Sequence, residues 1–140
     1  MRRFELKDGL KELMSNYCFD KYKREWDYVG GLSFKYDVKE FINGRNLMNK
    51  LWKRIRKECF VDGIYVMEIG SNGLLNIHFL MMSEKNYKGM VNLFKKYWGK
   101  NYGVFWLEEF DREKGDYDLY MLKDYWKEKK FDYDFISNVY

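Results

Sequence analysis

The chain has 140 residues and a net charge of +4, room for one domain with a real core and too little for two. Its composition is 46% hydrophobic and 34% charged, with 5 Trp, 13 Tyr and 11 Phe. That many aromatic rings exclude a disordered chain. No apolar run reaches the roughly 18 residues of a membrane span, and the segment from Met1 to Asp8 lacks the apolar region of a signal peptide. Cys18 and Cys59 form neither a zinc spacing nor a disulfide framework. A cytoplasmic protein with reduced thiols and no membrane partner is therefore expected. The mild positive charge permits nucleic acid as a partner without demanding it.

The chain contains no Ala, Pro, Thr or Gln and a single His. Every codon for these five amino acids contains cytosine, whereas Gly and Arg are plentiful. AT-richness alone does not produce that pattern. Depletion of cytosine on the coding strand does, as strand-biased mutation of a small or mobile replicon would leave it; mutational bias in an ordinary AT-rich genome is the plain alternative.

The first 25 residues read as a helix, with Leu6, Leu10, Leu13, Met14 and Tyr17 at helical spacing. Tyr28 to Tyr36 is strand-like in its aromatic and β-branched content. From Arg45 to Cys59 the spacing predicts a second helix with Met48, Leu51, Trp52, Ile55 and Cys59 as its buried stripe. Lys50, Lys53, Arg54 and Lys57 share another of its faces. Ile64–Ile69 and Leu75–Met81 form a hairpin across Gly70-Ser-Asn-Gly73. Ser83 is the expected N-cap of a helix that buries Met90, Leu93, Phe94 and Tyr97. Val104–Leu107 is a fourth strand, and a last helix from about Asp116 to Glu128 precedes a short aromatic tail. The order is α, then β-α-β-β-α-β, then α. This is an α+β fold of the ferredoxin-like, split βαβ kind: an antiparallel sheet with helices on one face and extra helices at both ends. One domain spans 1–140, its core at about 28–128, and the second sheet face is left free for a ligand or another element.

Candidate chemistry gathers on the hairpin. Strand alternation sends Asn76, His78 and Leu80 to one face and Leu75, Ile77, Phe79 and Met81 to the other. Polar groups interrupting an apolar strand call for a partner or solvent, and Glu68 interrupts the preceding strand in the same way. A carboxylate, an imidazole and a carboxamide oxygen on one face suit a hard divalent cation, Mg²⁺ or Mn²⁺. A structural His–Glu hydrogen bond on a half-solvated sheet is the plain alternative. Register decides whether the three can meet. A two-residue Asn72-Gly73 turn pairs Glu68 with Ile77 and turns it away; a three-residue loop or bulge pairs it with Asn76 or His78. On the last helix, Leu119, Leu122 and Trp126 form the buried stripe. Tyr120 falls among charged residues, three positions from Lys123 and so its surface neighbour.

Gly73-Leu-Leu-Asn-Ile-His-Phe-Leu80, with Glu68 upstream and Tyr120-Met-Leu-Lys123 downstream, resembles the HUH endonucleases. In particular it is similar to the Rep initiators of rolling-circle plasmids and viruses, single-tyrosine type. Gly31-Leu-Ser-Phe-Lys35 looks like the first strand of such proteins, and the resemblance spans about residues 28 to 127. It implies that Glu68, Asn76 and His78 hold Mn²⁺ or Mg²⁺, with Asn76 standing where the family has the first histidine of its pair. It implies that Tyr120 is the nucleophile that opens a phosphodiester of single-stranded DNA or an origin hairpin, giving a 5′-phosphotyrosine and a free 3′-hydroxyl. Lys123 would stabilise the phenolate. Tyr117 fits the motif less well, and Asp116 and Asp124 are equal candidates to take the phenol proton. Host helicase and polymerase are the further partners implied, and a homodimer is compatible with them. Two other readings compete: a non-catalytic, RRM-like nucleic-acid-binding module whose sheet aromatics stack bases, and a Rep-like protein inactivated through Asn76. No RNP1 sequence is present to favour the RRM-like one.

Overall fold

The computed structural model describes residues 26–70, 72–111 and 131–136. The helices expected over the first 25 residues and from Asp116 to Glu128, with Tyr117, Tyr120 and Lys123, lie outside the described residues. In chain order the elements are β1 (Tyr28–Leu32), α1 (Phe41–Glu58), β2 (Asp62–Ile69), β3 (Leu75–Met82), α2 (Tyr87–Phe94), a π-helical turn (Lys95–Gly99), β4 (Phe105–Glu109) and β5 (Phe131–Phe135). The strands form one sheet in the order β4-β1-β3-β2-β5. β3 runs antiparallel to both β1 and β2, and β4 runs antiparallel to β1. β1 and β2 are therefore parallel, joined through α1, with β3 inserted between them. That is the split βαβ arrangement expected from the sequence.

Both helices pack on the same sheet face. α1 buries Gly44, Met48, Leu51, Trp52 and Ile55, and α2 buries Met90, Leu93 and Phe94. They cover Tyr65, Met67, Ile77, Phe79 and Met81. Trp52 stands edge-on to Phe79 and Phe94, with ring centroids 5.4 and 5.9 Å away. Phe79 and Phe94 themselves stack at 5.3 Å. Offset and edge-to-face rings of this kind gain beyond their area burial.

Four local expectations are corrected. α1 starts at Phe41 rather than Arg45, because Asn43 and Gly44 are weak helix formers that hide its first turn in the sequence. The N-cap of α2 is Asn86, whose side chain accepts from the Gly89 N–H at 2.8 Å. Ser83 instead donates its hydroxyl to the Phe60 carbonyl at 2.6 Å. β1 ends at Leu32 rather than Tyr36, although Ser33 and Lys35 continue to donate to the carbonyls of Val104 and Tyr102.

The fourth concerns the tail, where residues 131–135 form an edge strand antiparallel to β2. Its sequence FDYDF alternates strictly. Asp132 and Asp134 pair with Met67 and Tyr65 on the helix side, and Tyr133 pairs with Val66 on the other. Arg45 of α1 meets both carboxylates, at 2.5 Å each. Burial opposes the charge on Arg45, yet the hydrogen bond and charge of Asp132, with Tyr65 and Asp134, raise its pKa. Inward charges on an edge strand also discourage pairing with a further strand.

The sheet face away from the helices is only partly open. Trp26, Val29, Ile64, Val66, Leu80 and Met82 are buried there, with Phe110, Tyr133 and Phe135 packed against them. Its polar positions lie towards the β2–β3 turn.

Candidate functional site

The β2–β3 hairpin sets the site. Glu68 pairs directly with Asn76, and Val66 with His78. The Gly70 N–H donates to the Leu74 carbonyl and the Gly73 N–H to the Gly70 carbonyl, both at 2.9 Å. Three residues thus separate Gly70 from Leu74, and Gly73 takes the left-handed conformation, φ 79°, that closes such a loop. This is the less common of the two turns weighed from the sequence. It puts Glu68, Asn76 and His78 on one face.

The His78 Nε2 and Glu68 Oε1 atoms stand 3.1 Å apart, with side-chain exposures of 28% and 15%. The pair sits diagonally across the strands, within reach of long side chains on one sheet face. Asn76 projects over the backbone of Gly70, where a Cβ would lie 3.0 Å from its Nδ2. Among the described residues no group of three or more His, Cys, Asp or Glu side chains converges. Asn76, opposite Glu68 on the same face, is the third position of the set expected from the sequence. One carboxylate oxygen, one imidazole nitrogen and one amide oxygen, half-shielded from water, fit a hard divalent cation. With no cation, the same two groups make a plain His–Glu hydrogen bond.

Across β3 on the other side, His78 pairs with Gly31 of β1, which in turn pairs with Trp106 of β4. A Cβ on Gly31 would lie 2.2 Å from Trp106 Nε1 and 2.8 Å from its Cε2. Only glycine at this position lets the indole lie against β1, one strand from His78. Trp106 is 40% exposed. A half-exposed aromatic surface therefore adjoins the polar trio. In the sequence, Gly31 stood out as the start of Gly31-Leu-Ser-Phe-Lys35, but its contact with Trp106 was not legible.

Lys53, Arg54 and Lys57 are exposed on α1, and Lys95 and Lys96 on the π-helical turn. All five lie in the helix layer, on the opposite side of the sheet from His78. Tyr120 and Lys123, the other two site candidates, lie outside the described residues. No described helix is long and apolar enough to cross a membrane. Comparison with family models, with curated proteins and with solved structures finds no match to this chain.

Proposed function

We propose that the protein is a metal-dependent endonuclease that nicks and rejoins single-stranded DNA through a covalent 5′-phosphotyrosine, an HUH-type initiator of rolling-circle replication. The observation that carries this reading is the hairpin register, which pairs Glu68 with Asn76 and brings Glu68 to His78 at 3.1 Å. A two-residue turn would have turned Glu68 away. Glu68, Asn76 and His78 would hold Mn²⁺ or Mg²⁺, and the cation would supply positive charge to a non-bridging oxygen of the scissile phosphate.

The chain's own residues do the rest. Tyr120 Oη forms a bond to phosphorus as the P–O3′ bond breaks. The phenol proton passes to a base, Asp116 or Asp124, and the departing 3′-oxygen takes a proton from water to become a hydroxyl. An unperturbed phenol of pKa about 10 is about one part in a thousand ionised at pH 7, a cost of about 4 kcal/mol. Lys123 reduces that cost by pairing with the phenolate. Because the phosphodiester energy is kept in the tyrosyl link, a 3′-hydroxyl can reverse the step and rejoin the strand. Trp106 offers a stacking surface for a base beside the trio, worth about 1–3 kcal/mol per stacked base.

The RRM-like alternative is less well supported by the same face. That mode stacks bases on sheet aromatics. Here the outward positions of the central strands are Val29 and Gly31 on β1 and His78 and Leu80 on β3, none of them aromatic.

Incubation with a single-stranded DNA library and Mn²⁺, followed by denaturing electrophoresis, tests the proposal. Wild type is expected to give a protein–DNA adduct that EDTA prevents and Tyr120→Phe abolishes. Absence of any adduct or cleaved strand with metal present would overturn the reading. Adduct formation by Tyr120→Phe would move the nucleophile to another tyrosine, with Tyr117 first in line.

A further inference from the structure

The charge of the chain is strongly segregated. Residues 41–58 and 87–100 hold ten Lys and Arg and one acid, Glu58, while the rest of the chain holds sixteen Lys and Arg against twenty-one Asp and Glu. All ten cations except Arg45 are exposed. Glu58 itself is engaged: it accepts the Tyr97 hydroxyl and lies 3.8 Å from Lys96 Nζ. These contacts tie the π-helical turn to the end of α1 and join the two basic stretches into one layer.

A face that is merely solvated usually mixes the two signs. On α1, Lys50, Lys53, Arg54 and Lys57 stand three and four residues apart, so each faces like charges along the helix, an arrangement that weakens it. Arg56 and Lys57 gain from the negative end of the helix dipole, but Lys50, Lys53 and Arg54 lie too far from that end. Nor can the helix lie in a lipid surface, which requires an apolar face. Its apolar residues Met48, Leu51, Trp52 and Ile55 are at most 2% exposed in the core.

We infer that this helix layer is a contact surface for the sugar–phosphate backbone of duplex DNA, a second nucleic-acid site on the opposite side of the sheet from Glu68 and His78. Charge complementarity identifies a polyanion. A single strand would look for free aromatic platforms. Here the Tyr97 ring is capped by Lys96 Nζ, 5.0 Å from its centroid, and the Tyr87 ring packs against Tyr28 with centroids 6.3 Å apart. From Lys50 to Lys57 the helix rises about 10 Å, which matches about three phosphate steps of a duplex strand. The choice of DNA over RNA rests on the nicking proposal; the surface itself does not depend on metal or cleavage.

The test is fluorescence anisotropy of a labelled duplex of arbitrary sequence, about 20 base pairs long, titrated in EDTA at several salt concentrations. The logarithm of affinity is expected to fall linearly with log salt, with a slope of about −4 or steeper. Lys53→Glu combined with Arg54→Glu and Lys57→Glu is expected to weaken binding at least about 100-fold near 0.1 M salt. The milder Lys53→Gln, Arg54→Gln and Lys57→Gln set is expected to flatten the slope by about 2.7. His78→Ala and Trp106→Ala should leave duplex binding unchanged, which separates this surface from the proposed nicking site. Unchanged affinity and slope in the Gln set would overturn the inference. So would tighter binding of an RNA duplex, or of phosphatidylserine vesicles, at equal salt.

Discussion

Trp52→Ala is expected to lower the free energy of unfolding by about 3–5 kcal/mol, the usual cost of truncating a large aromatic in a well-packed core. Trp52 is fully buried and meets both Phe79 of β3 and Phe94 of α2. The substitution opens a void where the two helices and the central strand converge, and Phe79 and Phe94 each lose an edge-on partner. The indole N–H makes no hydrogen bond, so the loss is one of packing and burial. For a domain of this length a total stability of about 7–20 kcal/mol is typical, so a large share is removed. Trp52→Phe keeps a ring edge against the stacked pair and should cost markedly less. Urea unfolding followed by circular dichroism reads both. A loss under 1 kcal/mol for the Ala variant would mean that Trp52 is not central to the core.

His78→Ala is expected to reduce metal-dependent cleavage at least about 100-fold while leaving the fold intact. The two effects separate because the imidazole is 28% exposed and projects from the face away from the helices. Truncation therefore removes a hydrogen bond to Glu68 without cutting into the aromatic core. A 100-fold loss corresponds to about 2.7 kcal/mol of transition-state stabilisation, within what a bound cation supplies to phosphate chemistry. Single-turnover cleavage in Mn²⁺, beside a thermal melt, checks both halves. A full cleavage rate in a folded His78→Ala protein would reduce the Glu68–His78 contact to a structural hydrogen bond.

Much of the fold was legible because its signals are periodic. The stripe of Met48, Leu51, Trp52 and Ile55 gave α1 its inner face, and the alternation through Leu75–Met81 gave β3 its two faces. Where non-local contacts decide, the sequence was mute. The end of the chain read only as a short aromatic tail, because the role of Asp132 and Asp134 depends on Arg45, far away in the chain, lying between them. Ser83 looked like a cap because Ser is a good one, but the Phe60 carbonyl claims its hydroxyl. The second sheet face read as free because nothing in the local pattern showed that Val29, Ile64, Val66, Leu80 and Met82 would gather there.

The candidate site was half legible. Glu68, Asn76 and His78 stood out as polar interruptions of apolar strands, but their convergence turned on the hairpin loop. The sequence Gly70-Ser-Asn-Gly73 allows two registers that differ by one residue in pairing. The three-residue loop, with Gly73 at positive φ, selects the one in which the groups share a face. The place of Trp106 beside His78 depends on β4 lying beside β1 with Gly31 opposite the indole, a non-local contact that no local pattern shows.

The most direct test of the proposed metal centre uses the single histidine of the chain, whose imidazole signals need no assignment. Mn²⁺ titrated against the folded protein should broaden the His78 ring resonances selectively, at substoichiometric metal, and Mg²⁺ should compete. Glu68→Gln should shift that titration to much higher metal concentration, because a charged oxygen donor has become a neutral amide. His78 signals that stay sharp through an excess of Mn²⁺ in the folded wild type would contradict a cation centre at Glu68, Asn76 and His78.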